Sequence, residues 1–411
     1  MTDVRKTILW IKADPLHPVD VGGRIRTYNM MKELSKRHNI IYLALFPEKH
    51  DPTAKALANE YSTEQCWIDY SDPKFSKARY GIDLLGNLFF SKLPYVIYKY
   101  ELTELTDAII RLTKQYNFDL IISDFLSLST NLLKASEQYP EINDIRKILF
   151  QHNVENMIWR RHYENEKNTL IKAYFKSQWK RMERFEDTTS KFFDGTVTVS
   201  PDDSAFFKDE MGINNILGHV NTGVDIGFFT PESRQAQPNS LVFLGAMDWM
   251  PNIEGICRFV NESYSRIKQE IPDVTLTIVG RRPVQKVMQL AEQDSSIKVT
   301  GTVDDVRPYL QCAQVAIVPL NVGGGTRLKI YEMMASKIPV ISTSIGAEGL
   351  PVTNGENICI ADGAGNFATK TVELLNNTSK SQQLTDSAYK FVDEHFSWAK
   401  VVEDFEGMLF Q

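Results

Sequence analysis

A chain of 411 residues exceeds one ordinary domain and predicts at least two lobes. Hydrophobic residues at 43% and charged residues at 24% exclude a disordered, collagen-like or disulfide-scaffold protein. Lys plus Arg total 46 against 52 Asp plus Glu, and the resulting net charge of -6 argues against a dedicated nucleic-acid binder.

In chain order, the run from Thr7 to Ala13 contains Lys12 and reads as a first strand, not as the apolar stretch of a secretory signal. A proline-rich loop, Gly22, Gly23, and then Ile25, Tyr28, Met31 and Leu34 at helical spacing predict strand, glycine turn, helix. Further strands are expected at Ile40 to Phe46, Phe118 to Ser123, Lys147 to Gln151, Gly195 to Val199 and Ile216 to Asn221, with helices between them. That alternation is the mark of an α/β protein with parallel sheets. The aromatic-rich segment YGIDLLGNLFFSKLPYVIYKY, residues 80–100, reads as core in preference to an acceptor groove. From Glu155 to Lys191 one long helix is predicted, its stripe of Ile171, Phe175, Trp179, Met182 and Phe185 facing a core. Its surplus of Lys and Arg reads as a solvated face, with contact to an anionic acceptor or a lipid surface as the alternative.

Periodicity lapses over 222–239, which reads as a linker between an N-terminal lobe, 1–221, and a C-terminal lobe, 240–395. Strands in the second lobe are expected at Ser240 to Leu244, Val274 to Val279, Ile297 to Thr300, Val315 to Val318, Val340 to Thr343 and Asn357 to Ile360. A final helix over 396–411 carries Trp398, Val401, Val402, Phe405, Met408 and Leu409 on one face and is expected to pack back on the first lobe. No run of 18 to 20 apolar residues predicts a membrane-spanning helix. The four cysteines, Cys66, Cys257, Cys312 and Cys359, lie far apart and fit a reducing compartment. The expected location is cytoplasmic, with peripheral contact at the inner face of the membrane left open.

Several chemistries are absent. The sequence has no phosphate loop ending in Gly-Lys-Ser/Thr, no full dinucleotide fingerprint, no nucleophile elbow and no zinc-protease helix. No two aspartates are separated by a single residue, so no metal site is expected. What is present is VGGGTRLKIYE, in which Gly323, Gly324 and Gly325 lead through Thr326 into a helix predicted from about Thr326 to Lys337. Glycines admit a ligand close to the backbone, and a helix N-terminus with Arg327 and Lys329 in its first turn outlines an anion cradle. Glu332 shares a face with Lys329, where it would accept from a sugar hydroxyl or simply form a surface pair with the lysine.

The stretch GGGTRLKIYEMMASKIPVISTSIGAEGL, together with NTGVDIGFFTP and LTIVGRRP, resembles the C-terminal domain of retaining GT-B glycosyltransferases, glycosyltransferase family 4. In the first half, the Gly-Gly turn before RTYNMMKEL and the sequence HNVEN extend the resemblance over almost the whole chain. It implies two Rossmann-like domains facing across a cleft. It implies that Glu332 bonds the ribose hydroxyls of a nucleoside-diphosphate sugar and that Arg327 and Lys329, helped by Arg281, face its diphosphate. Gly22 and Gly23 would form a loop that closes over the donor phosphate or admits the acceptor, where any side chain would intrude, and His152 would bond a hydroxyl of the reacting sugar, the alternative being a histidine at a strand end satisfied by backbone groups. Two departures stand out. The first acid of the family's glutamate pair is Gly324, and the family's usual Arg and Lys are replaced by Ala246 and Glu254.

The function implied is metal-independent transfer of a sugar from a UDP- or GDP-type donor to an acceptor hydroxyl with retention of configuration, in polysaccharide or glycoconjugate biosynthesis. No cofactor is expected beyond the substrate. The acceptor is a carbohydrate, a lipid-linked molecule or a protein. A catalytically silent nucleotide-sugar-binding partner and a GT-B nucleotide-sugar epimerase are the alternatives.

Overall fold

The computed structural model describes residues 5–73, 77–322 and 328–411, with the side chains of 77–79 left aside. It divides into two units. The first comprises Met1–Asn221 with Val401–Gln411, and the second Thr222–Lys400.

Among the described residues the first unit is built on seven parallel strands: β1 Thr7–Lys12, β2 Asn39–Pro47, β3 Glu64–Tyr70, β4 Leu120–Asp124, β5 Arg146–Phe150, β6 Gly195–Thr198 and β7 Ile216–His219. Their order is β3-β2-β1-β4-β5-β6-β7. Central strands such as LIISD and TILWIK are apolar on both faces because helices cover both sides of a parallel sheet. The chain winds one way from β1 to β2 and the other way to β4, so the strand order reverses between β1 and β4. A crevice outside the carboxyl ends of the strands forms at such a reversal.

Three expectations change here. The edge strand β3, EQCWIDY, does not announce itself by alternation. The single helix over 155–191 is two, Glu155–Asn165 and Thr169–Ser190. Glu166 Oε1 accepts the N–H groups of Lys167 and Asn168 (both 2.7 Å), and Asn168 Oδ1 caps the second helix through Leu170 N at 3.0 Å. Of its proposed core stripe Met182 is buried, whereas Ile171 is exposed. Nor is the 80–100 segment all core, since the helix Lys77–Phe90 leaves its largest apolar side chains in solvent.

The last helix, Trp398–Leu409, seats Phe405 between Trp10 (ring centroids 6.2 Å) and Phe150 (5.0 Å). Glu406 pairs with Arg37 and with His38, and Arg146 Nη1 donates to Gln411 O at 2.9 Å.

Among its described residues the second unit holds six parallel strands: β8 Ser240–Leu244, β9 Thr275–Val279, β10 Ile297–Val299, β11 Val315–Val318, β12 Val340–Ser342 and β13 Cys359–Ile360. Their order is β10-β9-β8-β11-β12-β13, with the reversal between β8 and β11. The 222–239 stretch is built into this unit. Val224 N donates to Phe396 O (2.7 Å), Phe229 is buried, and Thr230 Oγ1 donates to Ala335 O (3.2 Å).

Candidate functional site

At the reversal in the first unit, Lys12 closes β1, Asp124 closes β4 and His152 follows β5 by two residues. All three are buried. Asp124 Oδ1 lies 2.9 Å from His152 Nε2, and Oδ2 lies 3.1 Å from Lys12 Nζ. Oδ2 also accepts from Thr27 Oγ1 (2.7 Å) and Trp10 Nε1 (3.0 Å). Burial alone would raise the Asp124 carboxyl, but Lys12 and His152 beside it hold it far below the usual carboxylate range. Burial lowers His152 to about 4 against the pull of Asp124, with Lys12 and Arg26 adding to the lowering. The imidazole is therefore neutral at neutral pH. Its Nε2 proton faces the carboxylate, and buried Nδ1 offers a lone pair with no partner among the described residues.

Phe125 adopts a positive φ of 72°, a region that a bulky side chain enters at a cost of order 1–3 kcal/mol. Its ring stacks on His152 at 3.9 Å and lies 4.5 Å from Lys12 Nζ. Buried Glu186 clamps the loop that carries His152. Its carboxylate accepts from Gln151 Nε2 (2.8 Å), Glu155 N (3.0 Å), Asn156 N (3.1 Å) and Asn156 Nδ2 (2.6 Å), and burial pushes it up to about 7. A groove of about 930 Å³ in the same unit, lined by Trp67, Asp69, Tyr98 and Lys134 among others, includes none of these residues.

At the reversal in the second unit the floor is backbone. Gly245 N donates to Val279 O (3.0 Å) and Met247 N to Arg281 O (2.9 Å), so the chains leaving β8 and β9 run side by side. A Cβ on Gly280 would lie 1.7 Å from Gly245 O. Gly280→Ala is therefore expected to lower stability by about 1–3 kcal/mol, read as a lower urea midpoint. Above this floor Lys329, near the start of the Leu328–Ala335 helix, donates from Nζ to Asn252 Oδ1 (3.0 Å) and lies 5.0 Å from the Phe243 ring. Asn252 is in turn fixed by donating to Ala246 O at 2.9 Å. Glu332, almost one turn beyond Lys329, is pushed up to about 7 by burial, with Lys329 pulling it down.

Of the residues singled out in the sequence, Lys329 and Glu332 thus stand together in the second unit, and His152 stands in the first. Gly22 and Gly23 open the helix Gly22–Leu34 after β1. A Cβ would touch Phe125 at 3.2 Å on Gly23 but would meet nothing within 4 Å on Gly22, so the protein itself crowds only the second glycine. Arg281 follows β9, is 61% exposed and reaches Asp248 at 3.7 Å. Gly323, Gly324, Gly325, Thr326 and Arg327 lie outside the described residues. Glu254 is exposed, and at Ala246 the backbone oxygen holds Asn252. Sequence reasoning missed Asp124, Lys12 and Asn252. For the first two the available signal was a charged residue closing an apolar strand. Among the described residues no three His, Cys, Asp or Glu converge as a metal-ligand set.

Residues 238–377 match the family described as glycosyl transferases group 1. An uncharacterized 44.6 kDa protein in the cps region of Klebsiella pneumoniae is 22% identical, the alignment covering 96% of this chain and 97% of that protein. Among solved structures, Anabaena HepE in complex with UDP superposes with a TM-score of 0.64 at 13% identity, covering 98% and 99% of the two chains. Sucrose-phosphate synthase from Thermosynechococcus elongatus gives 0.64 at 14% identity over 98% of each. The fold is that of GT-B enzymes, two Rossmann-like domains with parallel sheets, and with the match over residues 238–377 it supports a GT-B glycosyltransferase.

Proposed function

We propose that this chain transfers a sugar from a nucleoside-diphosphate donor to an acceptor hydroxyl with retention of configuration, without a protein-held metal. The observation that carries the reading is Lys329, held by Asn252 above a glycine floor at the strand reversal, the place where an open α/β sheet receives a phosphate ligand. In this reading Lys329, with Arg327, receives the diphosphate. The bond from the anomeric carbon to the diphosphate oxygen breaks with its electron pair going to that oxygen, and the cations stabilise the developing charge. The acceptor oxygen bonds the anomeric carbon on the same face, and its proton passes to the departing diphosphate. Glu332 accepts from the ribose hydroxyls, and His152 Nδ1 accepts from a hydroxyl of a sugar substrate. The complex of HepE with UDP supports a UDP-type donor, with GDP as the other candidate.

The test is incubation of the full chain with a panel of UDP- and GDP-sugars, following thermal stabilisation and free nucleoside diphosphate. One donor is expected to stabilise the protein and to be hydrolysed slowly without acceptor. Stabilisation with no release in any donor and acceptor mixture would describe a silent nucleotide-sugar-binding partner, and conversion of the sugar without release an epimerase. No stabilisation by any donor would remove the reading altogether.

A further inference from the structure

His152 sits in a stretch without regular structure, residues 151–154, between β5 and the helix Glu155–Asn165. That helix starts without a cap of its own, because the residue before it is Val154, whose side chain accepts nothing. Glu186, reaching across from the helix Thr169–Ser190, supplies the missing acceptor to the first two N–H groups, those of Glu155 and Asn156. The same carboxylate accepts from the side chains of Gln151 and Asn156. It therefore grips the chain immediately before His152 and again three and four residues after it. The ring is held separately, Nε2 against Asp124 and one face on Phe125. Asp124 thus decides which nitrogen carries the proton, and Glu186 decides where the backbone delivers the ring.

We propose that Glu186 is a positioning residue for His152, its carboxylate holding the 151–156 backbone so that Nδ1 faces the substrate, and that uptake of a proton by Glu186 loosens this hold. A carboxylate satisfies all four donors. The acid must donate from one oxygen, and the acceptor at hand is Gln151 Oε1, which is buried with no partner among the described residues. Meeting it requires the Gln151 amide to turn over, next to His152. Burial favours the acid, the donors on Asn156 and Glu155 oppose it and the charge of Glu155 adds to it, so that the exchange falls at about 7. The other charged groups on that side, Arg160, Glu183, Asp187 and Glu210, border a cavity of about 250 Å³ together with Asn156. The first three are each paired with a residue three or four positions away in sequence. The consequence for catalysis rests on the reading above, in which Nδ1 accepts from a sugar hydroxyl; control of the ring by Glu186 does not.

The experiment follows the ring-nitrogen signals of His152 against pH in the full chain without donor, assigned by their absence in His152→Gln. Wild type is expected to show one step near pH 7, which His152 itself, lowered to about 4, does not produce. Glu186→Gln turns one acceptor oxygen into a donor, so its signals should lie near the acid-side position of wild type and show no step. Asn156→Ala removes a donor that favours the carboxylate and should move the step to higher pH, which keeps the test open should the glutamine variant fold poorly. No step in wild type, a step that survives Glu186→Gln, or one that Asn156→Ala leaves in place would overturn the proposal. With the donor identified above, Glu186→Gln at about pH 8 should lower kcat roughly tenfold to a hundredfold and change the donor KM by less than about twofold, since Lys329 and Glu332 belong to the other unit. An unchanged kcat beside a lost step would overturn the consequence for catalysis. A wild type that turns over no donor would defeat the transfer reading and leave the titration to judge Glu186.

Discussion

Asp124→Ala should lower the stability of the first unit by about 3–5 kcal/mol, because removing one member of a buried ion pair leaves the other charge without compensation. Lys12 would keep its ammonium in a dry site, and the donors of Thr27 and Trp10 would lose their acceptor. Urea unfolding followed by tryptophan fluorescence reads the loss, and a change below about 1 kcal/mol would show that the cluster is not a buried ionic network. Asp124→Asn tests a different property. The amide keeps the shape of the carboxylate but can present an N–H to His152 Nε2, which moves the ring proton to Nδ1 and abolishes the acceptor there. Nitrogen chemical shifts of His152 report that exchange of tautomer directly.

The pH dependence follows from the same residues. His152 is lowered to about 4 from the usual 6.5, so between these values the unfolded chain binds the proton and the folded chain does not. Stability contributed through His152 thus falls as pH drops from about 6.5 toward 4. Glu186 is shifted the other way, from 4.5 up to about 7, so its contribution is full below 4.5 and is lost as pH rises through 7. In Glu186→Gln, with the opposing group gone, stability should climb more steeply between pH 4.5 and 6.5 than in wild type.

The second large effect is expected at Lys329. Lys329→Met keeps an apolar stem over Phe243 but removes the charge, so folding should change little. Donor affinity should fall by about 1.5–3 kcal/mol, roughly tenfold to a hundredfold, if the ammonium meets a diphosphate. Calorimetric titration with UDP and GDP measures this, and the difference should shrink as salt is raised. An unchanged dissociation constant would take Lys329 out of the donor site.

How much of this was legible in the sequence depends on how far apart the cooperating residues lie. Strands such as Ser240–Leu244 and Val315–Val318 were readable to the residue, because a buried parallel strand is a short apolar run with abrupt ends. β3 was not, since a half-covered edge strand needs no apolar run. The break at 166–168 was hidden because helical periodicity continues through it, and only the capping by Glu166 and Asn168 interrupts the backbone. Lys329 and Glu332 were visible as neighbours on one helix. Lys12, Asp124 and His152 lie on three strands or their ends, and parallel pairing alone brings them together. Phe89 and Phe90 misled because composition says that a side chain is apolar, not which way it faces.

The C-terminal helix carries a consequence for biosynthesis. The seat for Phe405 is made by Trp10 and Phe150, which leave the ribosome long before the residue that fills it. At ~5–20 residues per second the interval is on the order of tens of seconds. Throughout that time the nascent first unit exposes an unfilled aromatic socket, and transiently exposed apolar surface of this kind is what makes a growing chain prone to aggregation.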